Sequence, residues 1–248
     1  MLLYFSYYIL VIMFLAVDKP TWISSFGVIK VLKKFYLWQK IWHSGTLDPM
    51  ATWLMILAIW KDTKNLTQLI WLDKSYITTI DFSKMSDTWD MEYWDEMINY
   101  ECEIRNWNNW ILIDQKFCEA PSLDKIKDKL QSLLPLFNLP VPAFSAKKKN
   151  WKRSYELARK GKQELSYKEM KIYGFQVLEY NFPVLKISLD VGSGTYIRSI
   201  AYWLGQQFWL GWILTDLRRT QIWNREINKM EMQWVENSYI KFCEMSID

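Results

Sequence analysis

VLKISLDVGSGTYIRSIAYWLG, residues 184–205, changes its hydrophobic period halfway along. Leu185, Ile187, Leu189 and Val191 alternate with Lys186, Ser188 and Asp190, the pattern of a half-buried strand. Gly192-Ser193-Gly194 then turns the chain. Thr195 is placed to cap a helix whose apolar face is Ile197, Ile200, Ala201, Leu204 and Phe208. Outward from this unit both periods recur, without a regular βαβ rhythm. Strands are expected at about 13–17 and over 74–82. Helices are expected over 26–36 behind Ser24 or Ser25, from Thr63 through Leu66, Leu69 and Ile70, and from Ser122 to a stop at Pro135. Residues 140–152 read as a loop bearing Pro and Lys, and 153–160 as a short helix ended by Gly161. The fold class is α+β.

The 248 residues are half apolar and 23% charged, enough for a good-sized core and too apolar for a disordered chain. Cys102, Cys118 and Cys243 lack CxxC spacing, and His43 is the single histidine, so neither a disulfide scaffold nor a zinc cluster is expected. The net charge of +4 confines any nucleic-acid surface to a local patch. No GxGxxG, P-loop or GxSxG motif occurs. Residues 1–17 carry no charge, yet they are short for a membrane span and lack a signal peptide's basic start and small-residue cleavage site. Met13 is read as the start, with 1–12 an upstream extension; a membrane anchor is the competing reading.

One count is abnormal. The chain holds 16 Trp and 8 Gly, so glycine is at about 3% where about 7% is usual. Tryptophan also stands where turns want glycine, as at Asn108-Asn109-Trp110. Either the protein is rich in aromatics, or a codon written here as Trp is read as Gly in the cell.

Three clusters carry chemistry. WHSGTLDPMATW, residues 42–53, brings His43, Ser44, Thr46 and Asp48 to one loop, and Pro49 biases Asp48 toward extended backbone. Gly194-Thr195-Tyr196-Ile197-Arg198 puts a cation in a helix's first turn, where it opposes the helix dipole unless a carboxylate or phosphate is near. Lys147, Lys148, Lys149, Lys152, Arg153, Arg159, Lys160 and Lys162, interleaved with Phe144 and Tyr155, suit phosphates and stacked bases. Taken singly, each is also what an ordinary turn, a solvated Arg or a charged surface run looks like.

In order, these clusters resemble the bacterial tRNA pseudouridine synthase B family. The matching segments are DKPTWISS (18–25), WHSGTLDPMATWLMILAIWKDTK (42–64), KSYITTIDF with SDTWD (74–90), PAFSAKKKNWKRSYELARKG (142–161) and SGTYIRSIAYWLG with LRRT (193–220). The resemblance implies the pseudouridine synthase fold, a mixed, mainly antiparallel sheet flanked by helices and loops over 13–248. It implies an RNA-binding insertion at about 120–162. A C-terminal PUA-like domain, usual in the family, is expected to be absent, because too little chain follows Thr220. The implied activity is isomerisation of uridine to pseudouridine at position 55 in the tRNA T loop. It would be performed by a cytoplasmic monomer without cofactor, metal or membrane.

The resemblance also implies roles. Asp48 is the essential aspartate. Arg198 pairs with it and holds it ionised. Tyr76 stacks on the flipped base, Tyr196 and Leu217 line its pocket, and Lys19 shapes the wall. His43 fills the space the base leaves. Lys147, Lys148, Lys152 and Arg153 belong to the segment that clamps RNA. The family has glycine opposite Trp22, Trp42, Trp53, Trp60, Trp151, Trp209 and Trp223. Decoding of UGA as glycine would explain all seven, and tryptophan held there is expected to show unusual backbone angles. A tRNA-binding or tRNA-folding protein that has lost catalysis is the alternative function.

Overall fold

The structure, a computed structural model, describes residues 14–37, 39–60, 63, 66–91, 98–99, 120–145, 148–149, 152–153, 166–222, 225–226, 233–234 and 240–245. In chain order the elements are β1 (Phe14–Lys19), α1 (Ser25–Leu32), β2 (Ile41–His43), β3 (Thr52–Ile59), α2 (Leu66–Ile70), β4 (Lys74–Asp81), β5 (Lys84–Met85) and β6 (Ile98–Asn99). They continue with α3 (Leu123–Gln131), β7 (Leu136–Val141), β8 (Lys148–Lys149), β9 (Lys152–Arg153), β10 (Ser166–Asn181), β11 (Val184–Val191) and α4 (Ile197–Phe208). The last are β12 (Ile213–Ile222), β13 (Arg225–Glu226), β14 (Gln233–Trp234) and β15 (Lys241–Met245). The chain divides into two compact units, residues 1–71 with 224–248, and residues 72–223.

In the first unit β1 lies between β3 and β15, antiparallel to both, with β2 on β3 and β14 on β15. Leu15, Ala16, Val17 and Leu54 through Ala58 are fully buried. Such a continuous apolar run is what a strand covered on both faces requires. In the second unit an antiparallel sheet runs in the order β12-β4-β11-β10-β7, and only β10 and β11 in it are consecutive in the chain. Helices α3 and α4 contribute Ile126, Leu130, Ile197, Ile200, Ala201 and Leu204 to its core. This is an α+β fold.

Several expected elements are present with shifted ends. Ser24 caps α1, its hydroxyl accepting from the Gly27 N–H at 3.0 Å, but the helix stops at Leu32, short of 36. Ser122 caps α3 as expected, accepting from the Lys125 N–H at 3.4 Å. Thr63 does not start α2, which begins at Leu66. Thr195 does not cap α4. Its hydroxyl donates to the Lys171 carbonyl at 3.1 Å, and Tyr196 stands at the cap position, its side chain making no capping bond to the helix. Pro140 and Val141, expected in the loop, instead end the strand Leu136–Val141, all six residues of which pair with β10. Lys152–Arg153 is strand, where Lys152 was expected in the loop and Arg153 at the start of a helix, and 154–160 lie outside the described residues.

The glycine-poor composition leaves a mark on the backbone. Trp22, Trp53, Trp60 and Trp209 have positive φ, as expected of glycine positions, and so does Trp89. Trp42 does not. It lies in β2 opposite Ala58, where extended backbone suits any residue. Trp151 and Trp223 lie outside the described residues.

Candidate active site

In the first unit the turn carrying Asp48 is held by the segment after β1. Lys19 is 0% exposed. Its ammonium donates to the carbonyls of Pro20 (2.9 Å), Ile23 (2.7 Å) and Pro49 (2.9 Å). The Thr21 hydroxyl donates to the Met50 carbonyl at 3.0 Å, and the Trp22 N–H to the Pro49 carbonyl at 2.8 Å. Ser25, at the start of α1, accepts from the Leu47 N–H at 2.9 Å and donates to its carbonyl at 3.2 Å. Asp48 is thus fixed by bonds to its neighbours' backbone. Its own carbonyl accepts from the Ala51 N–H at 3.0 Å, and its side chain is half-buried. His43 closes β2 opposite Leu57 and is half-buried too. Lys19 therefore shapes the site by ordering a turn: a buried ammonium must be fully hydrogen-bonded, and three carbonyls supply that.

In the second unit the register puts Tyr76 opposite Arg219 and Leu189, and Thr78 opposite Leu217 and Ile187. Opposed residues of antiparallel strands share a face, so Tyr76, Leu217 and Arg219 stand on one side of β4 and β12, all buried. Lys74, two residues before Tyr76, is buried there as well. Burial, then the charge of Arg219, pull its pKa down to about 8.

The start of α4 is positioned by the Gly192–Thr195 turn. A Cβ on Gly192 would meet Lys171 Cβ at 2.8 Å, and Gly194 has φ +76°. Only glycine fits both the close approach and the left-handed bend. Tyr196 is half-buried, its N–H on the Met170 sulfur at 3.4 Å.

Arg198 is the second residue of α4 and 3% exposed. Its guanidinium lies 3.2 Å from the carboxylate of Asp90, itself fully buried. It also donates to the carbonyls of Thr88 at 2.7 Å and Phe144 at 3.1 Å. Here is the anion that a cation in a first turn calls for. Asp90 in turn is held in a tight loop. Its N–H donates to the Ser86 hydroxyl at 3.2 Å, and that hydroxyl donates to the Asp90 carbonyl at 2.7 Å. Residue types and spacing give Asp90 no role, although it closes the matching segment SDTWD. An acid in a short run of turn-forming residues was the one available signal.

Lys147 lies outside the described residues. Lys148 and Lys152 are in the β8–β9 hairpin, with Lys148 opposite Arg153 and Lys149 opposite Lys152. Among the described residues no group of three His, Cys, Asp or Glu is placed to hold a metal ion. Among them too, no helix is long and apolar enough to cross a membrane.

The chain was compared with known proteins. Residues 33–197 match the model of the TruB family pseudouridylate synthase N-terminal domain. The tRNA pseudouridine synthase B of Chloroherpeton thalassium is 33% identical over 226 residues, 88% of this chain and 86% of that protein. The protein of the same name from Aquifex aeolicus is 33% identical over 211 residues, 84% of this chain and 67% of that one. Among solved structures, a chain of a Cbf5-Nop10-Gar1 complex matches with a TM-score of 0.59 at 22% identity, over 85% of this chain and 50% of that one. A chain of an H/ACA RNP bound to a substrate RNA containing 2'-deoxyuridine matches at 0.56 and 20% identity, over 84% of this chain and 47% of that one. The chain spans about half the length of these two, and they share its fold.

Proposed function

Because the chain belongs to the TruB family of pseudouridylate synthases, we propose that it isomerises one uridine of the tRNA T loop to pseudouridine, with Asp48 as the essential carboxylate. The observation that carries this reading is the Asp48 turn itself. A carboxylate is kept half-exposed while a buried ammonium and two hydroxyls order the backbone on both sides of it. A merely structural aspartate has no use for that arrangement.

In the reaction the N1–C1′ glycosidic bond breaks and a C5–C1′ bond forms. The C5 proton is lost to solvent and N1 gains one. No electron is transferred, so the atoms balance without a redox partner or cofactor. The target base is stacked in the loop and has to leave the stack for C1′ to be reached. Tyr76, with Leu217 and Tyr196, is the apolar surface on which the extruded base would lie. His43 would occupy the space it left. Arg198, paired with the buried Asp90, would fix the start of α4 and with it the neighbouring Tyr196. The basic hairpin would set register on RNA phosphates. The protein acts in this reading as a cytoplasmic monomer.

The test is tritium release from a T-arm stem-loop labelled at uracil C5. Release by the wild-type chain and a loss of at least about a thousandfold in Asp48→Ala are expected, because removing a group that acts on the reacting atoms costs on that order. RNA binding without release in the wild type would instead make the protein a tRNA-binding or tRNA-folding factor.

A further inference from the structure

At φ near +60° the Cβ of an L-residue is pressed against neighbouring backbone carbonyl groups, so this region belongs to glycine and, to a lesser degree, to Asn and Asp. Among the described residues five that are not glycine have φ between +20° and +160°. They are Trp22 (63°), Trp53 (83°), Trp60 (58°), Trp89 (63°) and Trp209 (57°). All five are tryptophan, a bulky residue for which this conformation is a genuine outlier. With 16 Trp in 248 residues, five random positions would all be Trp about once in a million draws. No Asn or Asp is among them.

The local bonds are those of glycine turns. Trp209 ends α4 at φ 57°, ψ 38°, with its N–H on the Gln206 carbonyl, and the next residue's N–H reaches the Gly205 carbonyl at 2.9 Å. Helix ends of this left-handed kind are the usual place for glycine. The Trp60 N–H donates to the Lys40 carbonyl at 2.7 Å and its carbonyl accepts from the Thr63 hydroxyl at 2.8 Å. The Trp89 N–H donates to the Ser86 carbonyl at 3.2 Å, and its carbonyl accepts from the Leu214 N–H at 3.2 Å. The bonds that close these turns are backbone bonds, which glycine makes equally well. Nor does burial account for tryptophan at three of the sites. Trp22, Trp60 and Trp209 are 52%, 47% and 70% exposed. Trp203 is the contrast, in mid-helix with its ring edge-on to Phe137 at 5.2 Å.

We propose that the polypeptide working in the cell carries glycine at 22, 53, 60, 89 and 209, because the codon UGA, written here as tryptophan, is decoded as glycine in this protein's source. The inference stands on backbone angles and does not depend on the proposed activity. Position 89 is reached by its angle alone. It also bears on the site. Trp22 bonds to the carbonyl that follows Asp48, Trp53 stands opposite Lys19, and Trp89 lies between Thr88 and Asp90. Three indoles would leave these two polar clusters, and glycine would relax the turns that hold them.

Two measurements test it. Peptide mass spectra of the protein from its native cells should show glycine at all five positions and tryptophan at 203. Tryptophan as the main residue at any of the five would overturn the proposal. Independently, three chains are expressed: the sequence as written, one with all five Trp→Gly, and one with all five Trp→Ala. Relief of five outlier conformations should raise the melting temperature of the glycine chain by on the order of 10 °C over the sequence as written. The alanine chain should gain less, since alanine keeps the Cβ that the conformation rejects. Trp203→Gly should lower it. Equal gains for alanine and glycine, or none for glycine, would mean that only exposed indoles mattered or nothing did, and either result contradicts the proposal. If the chain as written is insoluble, the glycine and alanine chains are compared with each other, and the same ranking is required.

Discussion

Asp48 is half-exposed and held through the backbone of Leu47, Pro49 and Met50, whereas Arg198 is almost fully buried and held through its own guanidinium by Asp90, Thr88 and Phe144. The first arrangement leaves a side chain available while fixing where it starts. The second commits every contact of a charged group to the fold. A half-exposed carboxylate with a fixed origin is what the former provides, and a charge built into the fold what the latter does. The two regions should therefore fail differently when they are broken.

The sharpest contrast is between two aspartates. Asp48→Asn should abolish isomerisation while changing stability by less than about 0.5 kcal/mol, as expected of a half-exposed side chain. Asp90→Ala strands a buried guanidinium and should cost about 3–5 kcal/mol. Urea unfolding with circular dichroism reads both. Equal stability losses would erase the distinction between the regions.

Lys19→Met comes next. It removes the ammonium that joins three carbonyls, and about 3 kcal/mol of stability is expected to go with them. Because Pro49 is one of the three, tritium release should fall as well, in the folded fraction. A stable variant of undiminished activity would show that the Asp48 turn holds itself.

A smaller effect is set by pH in the second region. Lys74 has its pKa lowered from 10.5 to about 8 by burial and by Arg219. The unfolded chain keeps that proton up to its higher pKa, so the unfolded state binds more protons between about pH 8 and 10.5. Stability from this group is thus lowest below pH 8 and rises through that window, by at most about 3 kcal/mol. Lys74→Met should flatten the rise in urea midpoint, and a rise unchanged by the substitution would assign it elsewhere. Smallest are the helix caps, one in each region. Ser24→Ala and Ser122→Ala should each cost about 1 kcal/mol, read by thermal unfolding.

Much of this was legible in the sequence, for particular reasons. The 184–191 alternation gave β11 to the residue, because one face is buried and the other is not. The serines before α1 and α3 marked those starts correctly. The long strand β10 was invisible. Its buried residues are sparse and its pattern carries two register shifts, so no single period runs through it. Strand β3 is apolar from Trp53 to Ile59 and offers no alternation to read. At the site, Asp48, Tyr76 and Arg198 stand out through their motifs, whereas Asp90 does not. Its importance comes from a contact between residues far apart in the chain, which spacing cannot reveal. Trp89 was missed for a related reason, since a backbone angle is not written in residue types.

The most direct test is chemical mapping of pseudouridine in an unlabelled T-arm stem-loop after incubation with the chain. One pseudouridine at a single uridine of the loop, absent with Asp48→Asn, is the result predicted here. RNA bound but unmodified, or pseudouridine formed equally by Asp48→Asn, would contradict it.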